Sequence, residues 1–435
     1  MGYPAFPDFS RLVNLLSAYG KLKHERGARN VHSLWRQAQT ALQRTLRQLQ
    51  RLPIDRDLAR REPDDLTTIR RLRPAGPRRL WQRFEPASYR ERLAGAFLGR
   101  CAGCTLGAPV EFWPIERMEQ WAKEIGQKFP PQEYWWRVPE PYGKRYGVSR
   151  CDAYTKSRMD GVPVDDDLAY TLLGLLIMED YGPDFTVAEV AKAWLKYLPY
   201  ACTAEDVALK NLKKGIPPAK AGEKDNPYCE WIGADIRSDP WGYLAPAWPE
   251  KAAEFAYRDA FISHRRQGIY GAMYFAAVIA AAFAVDDPFE ALRIGLTEIP
   301  RDSAMAETVR WALRIAPRIR NYRQARAAMD KRFAGMDGAH TLNNACLTIW
   351  GISIGRKDFS KVIAETVAMG MDNDCTAATA GSIVGAVVGR SCIPRQWTAR
   401  FHDKIHSYLI KRPSFKISDI LRRFENQAMR VWREI

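Results

Sequence analysis

At 435 residues and 49.6 kDa the chain has room for one large domain or two to three ordinary ones, with a sizeable core. Hydrophobic residues make up 46% and charged residues 27%, which excludes wholesale disorder and a small disulfide-stapled scaffold. Lys and Arg number 66 against 50 Asp and Glu, a net charge of +16 that favours an anionic partner: nucleic acid, a membrane surface or an anionic ligand.

Most of that excess lies early. Residues 1–88 hold 18 Lys and Arg against 8 Asp and Glu. The first seven residues have neither a basic n-region nor an apolar h-region, so no secretory signal is expected. Phe6 stands where a myristoylation signal favours Ser or Thr. Residues 10–51 have helical texture, with Leu12, Leu15 and Leu16, then Leu34, Leu42, Leu46 and Leu49, among Arg and Gln. Such a basic face is either solvated or the contact for an acidic partner, nucleic acid included. Pro53, Pro63, Pro74, Pro77 and Pro86 punctuate a connector. We divide the chain into a basic helical extension with its connector, 1–88, and a single large all-α domain of orthogonal helices, 89–435.

Gly95, Gly99, Gly103 and Gly107 recur every four residues, and Gly381, Gly385 and Gly389 repeat the period late in the chain. Each glycine inside a helix costs about 1 kcal/mol relative to alanine. A compensating contact is therefore expected, and a small-residue stripe supplies one by letting two backbones approach closely. The two stripes are expected to pack on each other near the domain centre, with Gly107 ending its helix. Cys101 and Cys104 form a CxxC with no second pair at zinc-site spacing. The eight cysteines read as small buried thiols in a reducing, cytoplasmic compartment.

Two long loops follow, 130–163 and 226–249. Tyr134, Trp135, Trp136 and Tyr146 in the first, and Trp231, Trp241, Tyr243 and Trp248 in the second, either stack a planar ligand or cover the core. Asp165, Asp166 and Asp167 open an apolar helix. Asp372 and Asp374 open the helix of the second glycine stripe. Acids cap helix starts through the dipole and free N–H groups, so separate caps are one reading. Convergence of four or five carboxylates on a divalent cation is the other, with hard oxygen ligands favouring Mg²⁺ or Mn²⁺ over zinc. His264 precedes an uncharged run, 268–285, which reads as a buried central helix rather than a membrane span. At a helix start, His264 is structural or contacts an anion or sugar.

Four blocks in this order resemble the ADP-ribosylglycohydrolase family: GAFLGRCAGCTLGAPVEF at 95–112, VDDDLAYTLLGLL at 164–176, SHRRQGIYGAMYFAAVIAAAF at 263–283, and the run from Thr341 through MDNDCTAATAGSIVGA at 371–386. The resemblance implies a Mg²⁺-dependent hydrolase with two ions, or Mn²⁺ in their place, that cleaves an ADP-ribosyl glycosidic bond on a modified protein or a small conjugate. By motif position it implies Asp165, Asp166, Asp372 and Asp374 as metal ligands, and Glu111, Asp166 and Asp374 as catalytic residues. Gly233, Ala234 and Arg237 fall where members contact the diphosphate, and His264, Gly268 and Tyr270 in another substrate-lining block. Members carry Thr around the first acidic pair and after the second, where this chain has Val164, Asp167 and Cys375. Cys375 is a poor ligand for a hard cation, and Asp167 adds a carboxylate. The alternatives are a non-catalytic ADP-ribose binder, a structural protein like the lens crystallins that resemble this family, and a hydrolase of another N- or O-glycoside. No membrane partner is expected.

Overall fold

The computed structural model describes residue 3 and residues 6–434, in two compact units that divide after Arg60. The smaller unit holds helices Ser10–Glu25 and Val31–Gln50, neither of which buries a residue. They turn about Gly27, whose φ of +75° suits glycine.

The larger unit begins at Arg61, so the stretch 61–88, grouped with the extension on composition, packs inside it. Arg73 and Arg78 both pair with the buried Glu298, at 2.5 and 2.6 Å. Asp64 accepts from the Arg266 N–H at 2.7 Å, and Leu80 N–H donates to Ala247 O at 2.7 Å. The unit is built from helices, with two short antiparallel ribbons, Lys144–Arg145 with Ser149–Arg150 and Lys404–His406 with Ser414–Lys416.

At its centre helices Pro86–Gly107 and Asn373–Val388 pack antiparallel, glycine on glycine. A Cβ at Gly95 would stand 2.1 Å from Gly385 O, one at Gly99 2.3 Å from Gly381 O, and one at Gly103 2.1 Å from Ala377 O. The stripes therefore meet as the period predicts, and backbone contact offsets the low helix propensity of glycine. Gly107 ends its helix, and its own Cβ would lie 2.5 Å from Asp374 Cα.

Helix Gln267–Ala282 is buried along its whole length, as expected for a central helix. By length and composition alone, Pro86–Val110 is apolar enough to cross a membrane, but 89% of that window is buried in the fold. The two long loops are partly structured. The first carries the ribbon Lys144–Arg145 with Ser149–Arg150, and the second a 3₁₀ turn, Ile232–Arg237, and helix Asp239–Leu244. All eight cysteines are free thiols, four of them buried and Cys202 and Cys392 exposed.

Candidate functional site

The glycine seam brings the acidic segments together. Because the two helices run antiparallel with Gly107 against Asp374, the start of Asn373–Val388 lands where Pro86–Gly107 ends. From that end a 3₁₀ turn, Ala108–Val110, leads to Glu111. Phe112 N–H donates to Met371 O at 2.9 Å, and the Asn373 amide donates to Val110 O at 3.3 Å, tying the two turns. Helix Asp166–Tyr181 enters from the side with Asp165 as its N-cap, accepting from the Asp167 N–H at 3.1 Å. The Tyr154 hydroxyl donates to Val164 O and holds that entry. Glu111, Asp165, Asp166, Asp372 and Asp374 thus converge, and capping alone does not describe them.

Each carboxylate has a distinct environment. Asp167 is fully buried and engaged: Arg100 donates to it at 2.9 Å and the Cys375 thiol at 3.0 Å. Arg100 also pairs with Asp239 at 2.6 Å, so the third aspartate of the DDD run serves an interior ion network rather than adding a ligand. Asp166 accepts from the Tyr146 hydroxyl at 2.8 Å. Asp165, Asp372 and Asp374 are buried, and Oδ1 of Asp372 and of Asp374 has no hydrogen-bond partner. Burial, then the neighbouring Asp374 charge, lifts the Glu111 carboxyl to about 8, against the opposing pull of Arg145. Burial and like charge also raise Asp165 and Asp372.

One oxygen from each of Glu111, Asp372 and Asp374 lies within 4.8 Å of the other two. Hard oxygen donors, two of them buried without a partner, fit a divalent cation. Cys375 joins Asp167 and Asp374 in a neighbouring group, but its thiol is bonded to Asp167.

Beside the cluster opens a cavity of 760 Å³, large enough for a nucleotide-sized ligand. Glu111, Asp166 and Asp372 face it, with Tyr146, Tyr200 and Trp231 on its apolar sides. The aromatic loops therefore divide. Tyr146 and Trp231 reach the cavity, whereas Tyr134, Trp135, Trp241 and Tyr243 are core.

Of the six residues expected to contact substrate, Gly233 alone lines this cavity. A Cβ there would meet the Glu205 carboxylate at 2.1 Å. Ala234 is buried behind it. Arg237 is buried and committed to Glu205 and Asp259, each at 2.8 Å, so its guanidinium is not free for a diphosphate. His264 is buried against the Ser263 hydroxyl at 2.8 Å, and burial holds it neutral. Gly268 sits against Cys229 O and the His264 ring, and the Tyr270 hydroxyl donates to Pro63 O at 2.5 Å. Of these, Arg237 braces the cavity wall through Glu205, which lines it. Sequence reasoning missed Arg145, Tyr200 and Glu205, which line it.

The sequence profile of the ADP-ribosylglycohydrolase family matches residues 85–428. The chain belongs to the ADP-ribosylglycohydrolase family. An uncharacterized protein of Archaeoglobus fulgidus (strain ATCC 49558) is 25% identical over 325 residues, 72% of this chain and 92% of that one. The fold is shared with a solved structure described as an ADP-ribosylglycohydrolase-related protein complex, with a TM-score of 0.52 and 20% identity, covering 80% of this chain and 99% of that one. In this chain the matched region holds both the glycine seam and the acidic helix starts.

Proposed function

We propose that the chain is a divalent-cation-dependent hydrolase that releases ADP-ribose by cleaving a glycosidic bond at C1 of the distal ribose. The observation that carries this is the convergence of Glu111, Asp372 and Asp374 beside the 760 Å³ cavity, which Glu111 and Asp372 line, with partnerless buried oxygens among them. Glu111, Asp372 and Asp374 would hold the cation, Mg²⁺ or Mn²⁺. When bound, it lowers the pKa of a water ligand towards neutrality.

This chain's residues do the rest. Asp166 faces the cavity, held by the Tyr146 hydroxyl, and is placed to take a proton from the attacking water. Glu111 lines the cavity beside the cation position and is placed to position the ribose or to exchange a proton with the leaving atom. The buried negative charge suits the oxocarbenium character of glycoside cleavage. Trp231, Tyr146 and Tyr200 offer faces for the adenine. The start of helix Thr203–Lys213, with Cys202 and Thr203 on the cavity wall, offers free N–H groups to the diphosphate. The basic extension is a contact for an acidic partner such as nucleic acid.

The test is a panel of ADP-ribosylated arginine, serine and acetyl-ester substrates, with Mg²⁺ and with EDTA. Wild type should release ADP-ribose from at least one of them in Mg²⁺ alone. Asp374→Asn and Asp372→Asn should lower that rate by more than the about 10- to 100-fold that loss of an outer contact of a metal site produces. Calorimetric uptake of ADP-ribose without turnover on any substrate would make the chain a binder. Full activity in Asp374→Asn would refute the assignment.

A further inference from the structure

The carboxylate cluster already contains a cation of its own. Arg145 leaves the short ribbon Lys144–Arg145 with Ser149–Arg150 and reaches into the cluster, with 18% of its side chain exposed. Its Nη2 lies 2.9 Å from Glu111 Oε2, 3.2 Å from Asp165 Oδ2, 3.3 Å from Asp374 Oδ2 and 3.2 Å from the Tyr146 hydroxyl. A guanidinium nitrogen of this kind has two protons, and here it has four oxygens around it. Hydrogen bonding alone does not account for that surplus, whereas charge does: it is the surrounding of a cation among carboxylates.

The side chain is also fixed in place. Its Nη1 donates to Ala108 O at 2.7 Å, at the foot of the first glycine helix. The rings of Tyr146 and Tyr154 lie 5.3 and 5.5 Å from the guanidinium carbon. Arginine stays charged at any working pH.

The contacts divide the cluster in two. Arg145 takes Oδ2 of Asp165 and of Asp374 together with Glu111 Oε2. Oδ1 of Asp374 and Oδ1 of Asp372 are left buried and partnerless. Asp167 is withdrawn from both halves by Arg100 and Cys375.

The family resemblance implies two metal ions. We propose instead that this chain is a one-ion centre, in which the Arg145 guanidinium holds the second cation position and the divalent ion binds on the Asp372 and Asp374 Oδ1 side with Glu111. The inference rests on the metal reading of the site and narrows it. Arg145 is a positioning residue here: it neutralises Asp165 and orients Glu111 and Asp374, so removing its charge opens a second ion position.

The test counts Mn²⁺ on the full chain after EDTA stripping, by calorimetry together with electron paramagnetic resonance of the bound ion. Wild type should bind one Mn²⁺ with an isolated-ion spectrum. Arg145→Gln, which removes the charge and keeps a donor, should bind two with the spectrum of a coupled pair. Arg145→Lys, which keeps a charge, should again bind one. Two ions in wild type would overturn the proposal whatever the variants do, and so would a single ion in Arg145→Gln. No Mn²⁺ in wild type or variant would instead overturn the metal reading itself.

Discussion

Arg237, Glu205 and Asp259 place one guanidinium between two buried carboxylates, and the sharing is unequal in its effect. Both acids hold Arg237 in its charged form. Burial outweighs the half-share of positive charge that Glu205 receives, and lifts its carboxyl to about 7. Glu205 therefore holds its proton more tightly folded than unfolded, where 4.5 is usual. The stability this confers is complete below about pH 4.5 and is lost as pH rises through 7. A shift of that size corresponds to about 3 kcal/mol. Glu230, also near 7, and Glu111, near 8, act in the same direction when no cation is bound. In EDTA the unfolding free energy, measured in urea, should fall between pH 5 and pH 8. Glu205→Gln should shrink that fall by roughly 3 kcal/mol. An unchanged slope in the variant would mean that Glu205 is ionised across the range, as a simple ion pair with Arg237.

Seam geometry makes a prediction at the level of the helix pair. Gly99→Ala should raise helix propensity by about 1 kcal/mol. The new Cβ, however, meets backbone on the facing helix, 2.3 Å from Gly381 O and 2.9 Å from its carbonyl carbon, and backbone cannot rotate away. Overpacking of this kind costs typically about 1–3 kcal/mol, so the net change should be destabilising despite the better helix former. Because the same seam sets Asp374 against Gly107, a wider seam should also weaken Mn²⁺ binding. Thermal unfolding and calorimetry on Gly99→Ala should move together, and a more stable variant with unchanged affinity would break the link between seam and site. This seam is also what the sequence shows best. A four-residue glycine period is a one-dimensional pattern, so the pairing is legible without a structure, whereas a run of aspartates before an apolar helix reads equally as a cap or as part of an acidic centre. Arg145 is not legible, because its ribbon of two-residue strands is too short to show alternation and its carboxylate partners lie 20 to 229 positions away. Arg237 misleads for the same reason: a lone arginine beside a glycine turn looks free until Glu205 and Asp259 arrive from other helices. Aromatic density alone likewise cannot separate Trp231 on the cavity wall from Trp241 in the core.

Across the whole molecule, net charge and stability lie in different places. Residues 1–60 carry 11 Lys and Arg against 4 Asp and Glu, and their two longer helices bury no residue. Residues 61–88 are also basic, yet their charges are spent inside the larger unit. Arg73 and Arg78 neutralise Glu298, whose side chain is 0% exposed, and Glu62 pairs with Arg266 and accepts from Ala304 N–H at 2.8 Å. Two truncations separate these roles. Removal of residues 1–60 should leave the melting temperature of the remainder within a degree or two, since none of their described residues is buried. Removal of residues 1–85 leaves Glu298 buried with no cation beside it, a loss of about 3–5 kcal/mol where a buried pair is broken from one side. That chain should melt several degrees lower or fail to fold. Any affinity for nucleic acid should vanish with the first truncation and, in the full chain, fall steeply with added salt. If the first truncation already lowers the melting temperature as far as the second, the basic extension is a structural part of the fold rather than an appendage. If both leave it unchanged, the Glu298 pairs contribute nothing to the fold.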